Sequence, residues 1–148
     1  MNDFLQAALK YADMGFSIIP IKPDIDPVVN KPLKKPYVAW TEFQSRKATQ
    51  IEIEDWWKKF PKAMVGIVTG TLSDLCVVDT DSKTAIERIE ATIPDNLTIP
   101  IATTPRGGRH YYFRHIEGLI NRAEYFEGVD VRTQGGYIVA PPSKNNGS

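Results

Sequence analysis

Leu75–Lys83 reads LCVVDTDSK: four apolar residues, then two aspartates separated by one threonine. Side chains at i and i+2 of a strand leave the same face with α-carbons roughly 6 to 7 Å apart, so Asp79 and Asp81 would aim both carboxylates at one point. Two unpaired anions that close repel, and each resists ionisation unless a cation lies between them. A hard divalent ion such as Mg²⁺, which takes carboxylate oxygens and keeps waters for a substrate phosphate, would resolve the conflict. Equally, both acids can cap the helix predicted to follow at its positive end. The spacing leaves both readings open while marking the run as a strand.

Upstream, MVGIVTG is a second β-branched run joined to the first by a turn. Downstream, KTAIERIEATI is amphipathic, with Ser82 or Thr84 as its cap. Asp3 with Gln6 resembles a capping box at the head of a helix over residues 4–14, which Gly15 closes before the short strand FSIIPI. PDIDPVVNKPLKKP, crowded with proline, predicts an extended and largely aperiodic loop, and its Lys31, Lys34 and Lys35 make it a candidate contact surface. TQIE from Thr49 is a second capping box, and Ile53, Trp56, Trp57 and Phe60 follow at helical spacing before Pro61. The tryptophans read as core rather than as a platform for stacking bases. After Pro94 come TIPIATT, the turn PRGG, RHYYFRH, a loop, VDVR, the turn TQGG and YIVAPPS. The order helix, strand, helix, two strands, helix and at least four strands predicts an α+β fold. We expect a mixed α/β sheet with a meander or hairpin in the second half.

At 148 residues the chain is read as one domain over 1–148, long enough for a real core. Its 42% apolar and 24% charged residues are those of a soluble globular protein. No apolar run approaches the roughly 20 residues of a membrane span, so no membrane partner is expected. The N-terminus lacks a secretory signal's basic and apolar regions, which points to an intracellular, cytoplasmic location. Cys76, the only cysteine, excludes a disulfide framework and a Cys-rich zinc site. Formal net charge is zero, yet lysine and arginine exceed acids in residues 22–62 and 101–148 and acids prevail between them. The chain therefore lacks an overall basic signature, but its surface can still be polarised. No GxxxxGK[ST], HExxH or G-x-S-x-G occurs, so phosphate-loop ATPase, zinc protease and α/β-hydrolase readings lack their motifs.

RHYYF places His110 and Tyr112 on one face and Tyr111 and Phe113 on the other. His110 follows Gly107 and Gly108, whose N–H groups can approach a phosphate, and Arg106 and Arg109 flank them. TPRGGRH thus has the ingredients of an anion site, although a Gly-Gly hairpin explains the glycines as well. His115 reads as structural. In VDVR, Asp130 and Arg132 share a face, opposite Val129 and Val131, and a salt bridge between them is the simplest account. If the charged faces of these strands coincide, Asp79, Asp81, Asp130, His110 and Arg132 converge. Three carboxylates suit two divalent ions in phosphoryl or nucleotidyl transfer.

Taken in order, LCVVDTD, TPRGGRHYYF and GVDVRTQGGYIVAPPS resemble the N-terminal domain of bifunctional DNA primase-polymerases. This is a branch of the archaeo-eukaryotic primase superfamily found in plasmids, phages and mobile elements. The likeness runs nearly end to end. The family's opening recurs as ALKYADMGFSIIPI, a Lys-Pro segment (Lys31-Pro32 or Lys35-Pro36) followed by Trp40, and IEDWWKKFPKAMVGIVTG.

The resemblance implies a catalytic core in which an N-terminal α/β unit packs on an RRM-like unit, with the active site between them. It implies Asp79, Asp81 and Asp130 as catalytic, metal-binding carboxylates for two Mg²⁺ or Mn²⁺ ions. His110, in the motif Gly108-Arg109-His110, would contact nucleotide phosphates, with Arg132 and Ser143 at the nucleotide end of the site. Serine is common in the superfamily where Gly108 stands, so a backbone N–H would replace its contact. Substrates would be dNTPs or NTPs and the macromolecular partner a DNA template with its primer, tracked by Lys31, Lys34, Lys35 and Arg106. The chain stops at PPSKNNGS, where family members continue with a further strand, and it carries no helicase domain. A minimal or C-terminally shortened domain is therefore expected, with any helicase supplied from outside this chain. Two other readings predict different behaviour: a non-catalytic nucleic-acid module stacking bases on Tyr111, Phe113 or Tyr137, and a metal-dependent nuclease using the same acids.

Overall fold

The computed structural model describes residues 2–104 and 107–142. Its elements are α1 (Asp3–Asp13), β1 (Ser17–Ile21), β2 (Ile25–Asp26), β3 (Lys31–Pro32), α2 (Gln50–Lys59), β4 (Met64–Val68), β5 (Cys76–Thr80), α3 (Lys83–Glu90), β6 (Ile101–Thr103), β7 (Arg109–Phe113), β8 (Arg122–Phe126), β9 (Val129–Arg132) and β10 (Tyr137–Ala140), with a 3₁₀ turn over Thr41–Gln44. The fold is α+β, and all its strand pairs are antiparallel.

Three strands form the sheet β1-β4-β10, and β1 and β4 are buried at every position. That explains their unbroken apolar sequences, which a sheet covered on both faces requires. On one face Ala8 of α1 and Ile53 and Trp57 of α2 pack with Ile18, Val65, Ile67 and Ile138. On the other, Phe43 of the 3₁₀ turn closes over Ile19, Ile21, Met64 and Val68. The buried indole of Trp57 donates to the Ala63 carbonyl at 3.1 Å, confirming the core reading. Gly66, at the centre of β4, has no room for a side chain: a Cβ there would lie 2.8 Å from Ile21 Cγ1 and 2.9 Å from Ile19 Cγ1. Overpacking of this kind costs about 1–3 kcal/mol, so Gly66→Ala is expected to lower the urea midpoint of unfolding by a corresponding amount.

The helix starts were legible except at one residue. Asn2, not Asp3, caps α1, its Oδ1 accepting the Phe4 N–H at 2.7 Å; Asp3 then sits in the first turn, where it favours the helix dipole. Thr49 and Glu52 close both arms of the expected capping box of α2. The Arg46 guanidinium grips the Glu52 carboxylate at 2.8 and 2.9 Å and, with the Thr49 N–H, holds its pKa at about 2. A carboxyl depressed from the ordinary 4.5 contributes stability that is present above that value and lost as pH falls towards 2. Acid titration between those limits should therefore lower the unfolding midpoint slightly in the wild type, and Glu52→Gln should flatten that part of the curve.

The second sheet has the order β6-β7-β5-β9-β8. α3 lies on one face, where the Tyr111 hydroxyl donates to Glu90 at 2.8 Å and Ala85 is buried. Ser82 caps α3 by accepting the Ala85 N–H. From the opposite face, Val77 and Tyr112 join the core beneath α1 and α2.

The strands thus fall into two main sheets, and the turn after MVGIVTG and the turn TQGG carry the chain between these sheets rather than pairing the strands they join. Strand β4 lies in the first sheet and β5 in the second; β9 lies in the second and β10 in the first. A turn signal marks a bend, while burial chooses the pairing partner. The two crossings are tied together: Thr69 Oγ1 donates to the Thr133 carbonyl at 2.6 Å, the Thr69 N–H to the Gly136 carbonyl at 3.0 Å, and the Thr71 N–H to Gln134 Oε1 at 2.9 Å. Beside them the sheets part to leave a cleft. The proline-rich loop also holds a minimal β2-β3 hairpin, and β8 occupies a stretch expected to be a loop. No described helix is long and apolar enough to cross a membrane.

Candidate active site

Strand β5 is the middle strand of its sheet, and register alone assembles the site. Asp79 stands opposite His110 of β7 on one side and opposite Asp130 of β9 on the other. Directly opposed residues share a face, so the imidazole and two carboxylates form one row across the sheet. Arg132, two residues beyond Asp130, extends the same face. His110 Nε2 lies 3.4 Å from Asp79 Oδ1, and Arg132 Nη2 donates to Asp130 Oδ2 at 3.0 Å. The second oxygen of Asp130 accepts the Glu124 N–H at 2.7 Å. The Asp79 and Asp130 side chains are 23% and 27% exposed and that of His110 only 7%, so the row faces open space at its acids and is anchored at its imidazole. Each acid thereby has its own nitrogen partner, the His110 ring for Asp79 and the Arg132 guanidinium for Asp130.

Asp79, His110 and Arg132 form one wall of a cleft of about 290 Å³, with Asp130 beside it. The other walls come from elsewhere in the chain: Lys34 after β3, Asn121 before β8, Gly135 and Gly136 of the β9–β10 crossing, and Tyr137, Ile138 and Val139 of β10. Asn121 holds the crossing by accepting the Thr133 N–H at 3.1 Å, and the Tyr137 hydroxyl donates to the Lys34 carbonyl at 2.6 Å. No sequence signal marked Asn121, whereas Tyr137 had been considered only as a surface for stacking.

Several expected members lie elsewhere. Strand β5 ends at Thr80, so alternation no longer governs Asp81; it is exposed and lines a second cavity of about 470 Å³ with Ser82, Thr84, Arg88, Glu124 and Glu127. The Gly107 and Gly108 N–H groups are bonded within the turn, to the Thr104 carbonyl at 3.0 Å and to Thr104 Oγ1 at 2.9 Å, so they order the approach to β7. Arg109 points away from His110, as alternation demands, and pairs with Glu90 at 2.8 Å. Lys31 and Lys35 are exposed on the hairpin and the segment after it, flanking Lys34. Tyr111 is fully buried against α3, which removes it as a stacking surface. His115 is structural as read, its ring 3.3 Å from Thr133 Oγ1 and its N–H bonded to Asp74. Arg106 and Ser143 lie outside the described residues.

Two opposed, partly exposed carboxylates, Asp79 lining the cleft and Asp130 beside it, are a donor set whose chemistry fits a hard divalent cation. Among the described residues no three His, Cys, Asp or Glu side chains meet closely enough to hold a metal, so Asp81 stands apart from the pair in this arrangement.

An antiparallel α+β fold that sets acids and cations facing one another across a cleft is suited to a phosphorylated ligand, which needs both charges close at hand. The family model described as bifunctional DNA primase/polymerase, N-terminal, matches residues 8–148. The chain belongs to that family and is a DNA primase/polymerase domain, whose ligands are nucleotides and nucleic acid. No curated protein matches it.

Proposed function

We propose that the domain extends a DNA strand by template-directed nucleotidyl transfer in this cleft. The primer 3′-hydroxyl, giving its proton up to solvent, attacks the α-phosphorus of a bound nucleoside triphosphate; the new P–O bond forms as the bond from that phosphorus to the α–β bridging oxygen breaks, and pyrophosphate leaves with its electron pair. The observation that carries the reading is the in-register row His110, Asp79, Asp130, of which His110 and Asp79, with the neighbouring Arg132, line one wall of the cleft. Mg²⁺ or Mn²⁺ held by Asp79 and Asp130, with Asp81 as the further acid of the family's motif, would supply charge neutralisation at the reacting phosphate. His110 is fixed by burial and aimed at the cleft, and Arg132 can exchange one Asp130 oxygen for a phosphate oxygen, a bidentate geometry that a guanidinium suits. Lys31 and Lys35, exposed on either side of Lys34 in the sequence, supply cations for template phosphates, so extension should weaken as salt rises.

An end-labelled primer on a longer template, incubated with Mn²⁺ with and without dNTPs, tests the proposal. Lengthening that requires dNTPs supports it. Shortening would make the same acids those of a nuclease, and retention of an unchanged primer would leave a binding module.

A further inference from the structure

We propose that Lys34 is a binding residue for the triphosphate of the incoming nucleotide, presented to it by Tyr137; this rests on the nucleotide-binding reading of the cleft. By sequence Lys34 belongs with Lys31 and Lys35 as a basic loop residue, yet of the three only Lys34 lines the cleft with Asp79, His110 and Arg132. The other two basic side chains there are engaged: His110 lies 3.4 Å from Asp79, and Arg132 lies 3.0 Å from Asp130. Among the described residues Lys34 has no carboxylate within 4.0 Å. It is a cation at the cleft without a counter-charge, and a compact ammonium is a good point charge for phosphate oxygens.

The backbone is arranged to hold it there. Lys34 has φ 54°, the left-handed region that a residue bearing a Cβ adopts only at an energetic cost. The conformation is pinned from both sides: the Tyr137 hydroxyl donates to the Lys34 carbonyl at 2.6 Å, and the Lys22 N–H donates to the Lys35 carbonyl at 2.7 Å. Glycine or asparagine would suit such a position better if only the turn mattered. A lysine kept there, and tied to a residue of the cleft's own wall, serves a contact that its charge makes.

Three variants separate charge from backbone. Lys34→Asn removes the ammonium while tolerating the left-handed backbone, Lys34→Arg keeps a cation, and Tyr137→Phe deletes the bond to the carbonyl. Three quantities are read on the full chain: KM for the complementary dNTP at saturating primer-template, Kd for the primer-template, and Kd for inorganic tripolyphosphate by calorimetry. Lys34→Asn should raise the dNTP KM and the tripolyphosphate Kd roughly tenfold to a hundredfold, the range for losing a hydrogen bond to a charged group. DNA binding should shift less than about twofold, as expected for one rim cation among several. Lys34→Arg should recover most of the loss, and Tyr137→Phe should raise KM several-fold with a smaller change in kcat. A Lys34→Asn defect confined to the primer-template Kd, or unchanged tripolyphosphate binding, would overturn the proposal, as would failure of Lys34→Arg to restore it. Tripolyphosphate binding that depends on Lys34 in a wild-type chain unable to extend primers would uphold this inference while refuting the polymerase reading.

Discussion

Asp79→Asn and Asp130→Asn are each expected to lose about a thousandfold in template-dependent extension while unfolding no earlier than the wild type. The size follows from the role: charge stabilisation at a reacting phosphate is worth several kcal/mol, and each 1.36 kcal/mol is a factor of ten in rate. Stability is retained for a reason visible in the register. Asp79 and Asp130 are directly opposed on adjacent strands, so neutralising either relieves a repulsion. Asparagine keeps the shape, and its one amide oxygen can still accept from His110 at position 79, and from either Arg132 or the Glu124 N–H at position 130. Quench-flow or gel assays of single-nucleotide addition measure the loss, and thermal melts measure the stability. Undiminished addition by either variant contradicts the proposed role of the pair. Asp81→Asn is the informative companion. A loss as large as the other two means that Asp81 leaves its separate cavity to join the pair during turnover, and a small loss leaves the work to Asp79 and Asp130.

Gly108→Ser is expected to lose about 3 kcal/mol of stability, at the upper end of overpacking costs. For a chain of this length that is a fall of roughly 10 °C in Tm. A Cβ at Gly108 would lie 2.1 Å from the Thr80 carbonyl oxygen and 3.0 Å from Thr104 Oγ1. The nearer atom is backbone and cannot rotate away, so β7 must shift against β5. That same pairing sets Asp79 against His110, so the variant should lose activity beyond what its unfolded fraction explains. The serine common at this position in related primases therefore has no room here without rearrangement. A Tm within 2 °C of wild type, at full activity, would show that the turn yields more easily than its packing implies.

Much of the site was legible because strand alternation has a period of two and charges on apolar strands are conspicuous. LCVVDTD, RHYYF and VDVR each announced which side chains share a face, and the register joined those faces. Alternation also predicted that Tyr111 would face away from His110, although Arg109, expected at the anion site, follows the same rule and turns away with it. It misled at Asp81, because period two holds only while the strand continues and β5 ends one residue earlier. The opposite wall was not legible. Lys34, Asn121 and Tyr137 come from a loop, a loop and the other sheet, and nothing local records that the chain crosses between sheets twice. Strand β8 escaped notice because all five of its residues are exposed on an edge, leaving no apolar rhythm to read. The motif LCVVDTD therefore located the active row but could not enclose it.

The central claim is that the cleft chooses nucleotides by the template. Four primer-templates differing only in the first templating base, each given one dNTP at a time with Mg²⁺ or Mn²⁺, test it most directly. The account predicts one-nucleotide extension of each primer by the complementary dNTP, far exceeding the three mismatches, and none when the metal is chelated. Addition indifferent to the templating base, or no addition with either metal, would contradict it.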